Sequence, residues 1–303
     1  MIRKIIAQGK GAHTITLPSK WINMNHLKSG NEVNIIEKDA DLIITVSSKQ
    51  DAPKMTAVFN CKGVHWLIGP LVAAYYKRGY DELRVEYQTS KELEKINWVT
   101  SQLPGFEVVE KRSNSVLIKR IASASVEEYK NSIRRSCFTL KVMSEEFMQA
   151  IEKNDRELLR SVVSSDDNLN KFTSYARHIM FKDSSVEPVK APPMYTLLWL
   201  LEKIGDIYKR LAQVHGEKKI KLSKETTDIN KKINTSLADF LDLIFKYDQE
   251  KLSSWYSKKK QMLEETEALL MKSRGEETWH LTQLKVILSF LFDSAGLLAV
   301  INV

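Results

Sequence analysis

Leu198-Trp199-Leu200-Leu201-Glu202-Lys203-Ile204-Gly205-Asp206 reads as an apolar helix interrupted by acids. A second stretch, Lys285-Val286-Ile287-Leu288-Ser289-Phe290-Leu291-Phe292-Asp293, can be set beside it, with an acid near the same place. Helical spacing begins at Val126 and predicts six helices, over 126–152, 155–182, 192–215, 222–247, 249–274 and 277–302. Breaks fall at Asn154-Asp155, from Glu187-Pro188 to Pro192-Pro193, and at His215-Gly216, Tyr247-Asp248 and Arg274-Gly275. The quoted stretches lie in the third and sixth helices, so six helices grouped three and three suggest a repeat.

Upstream, residues 51–122 alternate strand and helix. Strands are expected at Thr56–Asn60 and Leu83–Tyr87, with helices over Leu67–Tyr80 and Thr89–Leu103 and a closing hairpin of Phe106–Lys111 and Ser115–Arg120. Thr89-Ser90-Lys91-Glu92 resembles a capping box, and Pro104-Gly105 stops that helix. Residues 1–50 begin with a basic strand, Met1 to Gln8, and Gly9-Lys10-Gly11 turns into Ile15-Thr16-Leu17. One helical turn follows Pro18, and a second hairpin carries Val33 and Ile35 opposite Leu42, Ile44 and Val46 around Asp39-Ala40-Asp41. So short a segment buries too little apolar surface to fold alone, and dimerisation is the expected remedy. The organisation is therefore multidomain α+β: 1–50, a small α/β module over 51–122, and an all-helical domain over 123–303.

The 303 residues carry a net charge of +8, and residues 1–50 hold seven Lys/Arg against four Asp/Glu. A basic excess towards the N-terminus argues for a polyanionic partner. Cys61 and Cys137 form neither a disulfide framework nor a metal knuckle, which suits a reducing cytoplasm. The start of the chain turns polar too early for a secretory signal. Val286–Val303 nearly reaches spanning length, but Ser289, Asp293 and Ser294 interrupt it, so a buried bundle helix is expected rather than a membrane anchor.

Glu202 and Asp206, four residues apart, project from one helix face, where like charges cost stability unless a cation answers them. The pair suits a hard divalent or iron-type cation, or else is a solvated acidic pair answered by Lys203 or Arg210. Gly205 beside them marks close helix packing. Glu277-Thr278-Trp279-His280 has the Glu-x-x-His spacing of di-iron bundles, but such a site needs two of these motifs and two more carboxylates. No P-loop and no Gly-x-Ser-x-Gly occurs, so no enzyme class is supported.

Arg3, Lys4, Lys10 and Lys20, with His13 and Thr14 between them, cluster on the first hairpin and suit contact with phosphate backbone. Arg3-Lys4, Gly9, Ile15-Thr16-Leu17-Pro18-Ser19-Lys20-Trp21 and Leu27-Lys28-Ser29-Gly30-Asn31-Glu32-Val33 resemble the AbrB/SpoVT-type swapped-hairpin domain. That resemblance implies a dimeric β-barrel of interleaved hairpins that binds double-stranded DNA through those six residues. Asn31 stands where the family often has Asp.

Tyr195 to Leu211 looks like the Glu-x-x-x-Asp helix of the PhoU family, and Asp166-Asp167-Asn168-Leu169-Asn170 resembles its other acidic segment. This implies paired three-helix bundles that regulate phosphate uptake through a phosphate transporter or sensor protein, with a metal site at Glu202, Asp206, Asp166 and Asp293. The second repeat departs from that pattern, with Ser289 in place of the Glu and Phe292 in place of the Gly. Together the segments resemble archaeal phosphate uptake regulators, which implies a cytoplasmic DNA-binding transcription regulator, or an adaptor that works by protein contact alone.

Overall fold

A computed structural model describes residues 1–9, 11–38, 41–46, 54–121, 125–182, 187, 189–218 and 220–303, and divides the chain into compact units at 1–56 and 57–303. The expected roles of Lys10, the Asp39-Ala40 turn and Pro188 lie outside the described residues.

In the first unit, β1 (Ile6–Gln8) pairs antiparallel with β2 (Ala12–Thr14), and α1 (Ser19–Met24) follows. The turn between the strands needs Gly9 and Gly11, whose φ angles of +69° and +88° side chains rarely adopt. β3 (Val33–Lys38) and β4 (Asp41–Val46) form a separate hairpin in which Val33 faces Val46 and Ile35 faces Ile44. The first hairpin is shorter than expected, with Ile15–Leu17 irregular, because a ribbon of two strands has no third strand to extend its pairing. One chain forms two two-stranded sheets, and among the described residues it closes no barrel and buries no side chain of this unit. Ile2, Ile5, Ile35 and Leu42 are all more than half exposed.

The second unit opens with a four-stranded sheet in the order β5-β6-β8-β7, built from β5 (Thr56–Asn60), β6 (Glu82–Glu86), β7 (Phe106–Lys111) and β8 (Ser115–Arg120). α2 (Ile68–Lys77), entered through a 3₁₀ turn, and α3 (Ser90–Ser101) share the core of this module with Val72, Tyr76, Leu83, Ile96 and Ile118. The capping box forms as the sequence predicts, with Glu92 N–H donating to Thr89 Oγ1 and Thr89 N–H donating to Glu92.

The remainder is helical: α4 (Val126–Lys153), α5 (Arg156–Lys182), α6 (Ala191–Glu217), α7 (Lys224–Phe245), α8 (Gln249–Ser257), α9 (Lys259–Lys272) and α10 (Glu276–Asn302). α4, α5 and α6 make one bundle; α7, α9 and α10 make the other, and α6 packs against α10 so that both share one continuous core. The expected fifth helix is broken at Lys258. Trp255 causes the bend: its ring packs between Phe240 and Phe292, its Nε1–H donates to Ser236 O at 2.8 Å, and the Lys258 N–H tightens onto Trp255 O. α10 is long and apolar enough to cross a membrane, but Leu281, Leu284, Leu288, Leu291 and Leu298 are fully buried in the bundle core.

Candidate functional site: the acidic face of α6

α5 and α6 run side by side, and a missing side chain sets how closely. A Cβ at Gly205 would lie 2.2 Å from Leu169 Cδ2, so any side chain there would have to displace buried Leu169. This approach brings the acids of both helices within reach of cations from the same helices.

Glu202 accepts from Thr173 Oγ1 at 3.0 Å and from the Arg177 guanidinium, which is 1% exposed. Arg177 is itself held by the Thr173 carbonyl at 3.1 Å and lies over the Tyr195 ring. Burial pulls the Glu202 carboxyl upward, but Arg177, with Lys77 of α2 behind it, outweighs burial and holds it below the usual range. Asp166 is fully buried; its Oδ2 accepts from Lys209 Nζ at 2.7 Å and from Asn170 Nδ2 at 3.0 Å. Burial raises the Asp166 carboxyl and Lys209 opposes that rise. Its Oδ1 and Asn170 Oδ1 have no partner among the described residues. Asp206 is paired with Lys203 at 2.5 Å.

The structure thus brings Asp166, Glu202 and Asp206 onto the α5–α6 seam, while Asp293 is exposed on α10 in the other bundle. The set does not fit a metal. Asp166, Glu202 and Asp206 are each already answered by Lys209, Arg177 or Lys203, and no three His, Cys, Asp or Glu side chains among the described residues come together as a metal-holding group. Lys203 is the cation anticipated from sequence; Arg177 and Lys209 are not, because only the antiparallel register of α5 and α6 places them.

The Glu-x-x-His motif dissolves into two structural roles. Glu277 accepts from the Ser223 N–H at 2.7 Å, tying α10 to the start of α7. His280 is buried, 3.0 Å from His215 Nε2 and 3.2 Å from the Asn230 side chain, with Phe147 stacked on its ring. Burial pushes His280 down to about 3 and His215 down to about 4, so both are neutral and one donates to the other.

A second joint fixes the α/β module to the first bundle. The His178 Nδ1–H donates to Tyr76 O at 2.6 Å and its ring stacks on Tyr76, which requires the neutral Nδ1–H tautomer. Asp81 accepts from Lys182 at 2.5 Å and from Arg120 at 3.0 Å. Nothing in the sequence signalled this joint, since His178 and Lys182 lie about a hundred residues from Tyr76 and Asp81.

On the first unit, Arg3, Lys4, His13, Thr14 and Lys20 are all exposed. Thr14 Oγ1 donates to Ile6 O at 3.4 Å across the hairpin.

No family model matches the chain, and no curated protein matches it. Among solved structures, the chain is similar to the phosphate transport system regulatory protein PhoU from Streptococcus pneumoniae, with a TM-score of 0.44 and 17% identity over 58% of this chain and 90% of that one.

Proposed function

We propose that the chain is a regulator of phosphate uptake that acts by contact with protein partners, a transporter subunit or its sensor, and is dimerised by residues 1–56. The observation that carries this reading is the body formed by residues 57–303. Two bundles share one core, and buried polar joints, His178–Tyr76 and Lys182–Asp81–Arg120, make the α/β module continuous with them. Such a body presents a fixed surface, and its acidic motif is spent on internal packing and ion pairs. The sequence resemblance of Tyr195–Leu211 to the PhoU helix supplies the phosphate context. Crosslinking in cells followed by mass spectrometry tests it: recovery of a phosphate-transporter or sensor subunit supports it, and recovery of neither overturns it.

A second reading, binding to double-stranded DNA, is favoured by the exposed basic hairpin, where Arg3, Lys4 and Lys20 stand clear of any ion pair among the described residues. Its signature is electrostatic. Duplex affinity should fall steeply with salt, and Arg3→Ala and Lys4→Ala should each reduce that slope by about 1. Absence of salt-dependent duplex binding by the full chain would leave the contact-only reading standing alone.

A further inference from the structure

We infer that the groove between the first half of α5 and the last half of α6 binds a phosphate ester carried on a polyhydroxylated body. The groove encloses about 500 Å³, within the range of small-molecule sites. Small residues open it: Ala212 and Gly216 line the α6 side, and a Cβ at Gly216 would meet nothing within 4 Å.

Two of its cations are unspent, whereas Lys209, which also lines it, is held by Asp166. Arg156 and Arg160, one helical turn apart, both line the groove, and neither guanidinium has an ion pair or side-chain hydrogen bond among the described residues. Two adjacent guanidiniums repel each other, and a phosphate group taken by both converts that repulsion into charge-assisted hydrogen bonds.

Two carboxylates decide what else the ligand must carry. Asp167 and Glu217 line the same groove and are also without an ion pair among the described residues. A bare phosphate or polyphosphate would meet them as repulsion, whereas hydroxyl groups donate to them. Leu159 and Val163 supply apolar surface against which a sugar or base face can lie. The ligand is therefore an ester with donors as well as an anion, in the class of nucleoside monophosphates and sugar phosphates. This site is independent of the partner contacts proposed above and would give the regulator a small-molecule input.

Isothermal titration of the full chain with AMP, a hexose monophosphate, adenosine and inorganic phosphate tests it. At least one ester should bind, with adenosine and inorganic phosphate each weaker by about ten-fold or more; which ester binds identifies the source. Arg160→Met should weaken that ester by about ten-fold. Gly216→Leu, which plugs open space, should abolish binding with the melting temperature of the free protein kept. The proposal is overturned if no ester binds, if inorganic phosphate binds as tightly as the ester, or if ester binding survives both substitutions.

Discussion

At the scale of single residues, Gly205 and Lys209 decide how α5 meets α6. Gly205→Ala would drive a methyl into Leu169, an overpacking cost of about 1–3 kcal/mol set against the roughly 1 kcal/mol that alanine gains over glycine in a helix. The expected net loss is about 1 kcal/mol in urea denaturation. Gly296→Ala in α10, where a Cβ meets nothing, should instead raise stability by about 0.5–1 kcal/mol. Lys209 is the counter-ion of a carboxylate that is fully buried, so Lys209→Met strands a charge and should cost about 2–3 kcal/mol at neutral pH, less than a wholly enclosed pair because the ammonium is partly exposed. The sign with pH follows from the acid. With its cation gone, Asp166 titrates higher in the folded protein than in the unfolded chain, so the variant's deficit should grow as pH rises and shrink as the carboxyl protonates. Asp166→Asn combined with Lys209→Met should recover most of the loss. Adding Mn²⁺ or Mg²⁺ should leave the wild-type melting temperature unchanged, because the ammonium already stands where a cation would.

At the scale of elements, the joints between helices depend on neutral histidines. His280, between α10, α6 and α7, and His178, between α5 and α2, are at most 1% exposed, and burial holds them at about 3 and about 4. Both folded values lie below the unfolded one, so their stabilisation is complete above about pH 6.5 and is lost as pH falls towards the folded values. Guanidinium titrations at pH 7, 6 and 5 should show a loss approaching about 1.4 kcal/mol per pH unit for each histidine. A flat profile from pH 6 to 5 would mean that neither is buried uncharged. The helices that carry these joints were legible in sequence, with α4, α5, α6 and α10 found to within a few residues, because apolar periodicity and capping are local. The break before α9 was not, because Trp255 makes it through contacts with α7 and α10. The acids of the seam were legible as a motif. Their partners Arg177 and Lys209 were not, since two helices must be laid antiparallel before those cations face them.

At the scale of the whole molecule, the two units differ in what they can bury. Residues 57–303 hold two cores, one in the α/β module and one running through both bundles. Residues 1–56 hold none among those described, and two separate hairpins cannot pair their own edges into a sheet large enough to be stable. The apolar side chains are present but face outward: Ile2, Ile5, Ile6, Ile35 and Leu42 would each gain roughly 1.5–3 kcal/mol on full burial. A partner can supply that, and a second copy presents the same residues in the same pattern, so an interleaved dimer would bury both sets at once. The fragment 57–303 should therefore remain folded and sediment as a monomer, while the full chain sediments as a dimer. Ile35→Asp should shift the full chain to the monomer and leave the helical circular-dichroism signal in place, because neither core of residues 57–303 includes that side chain. A dimeric 57–303 fragment would move the interface to the bundles and remove the reason for the apolar face of the hairpins.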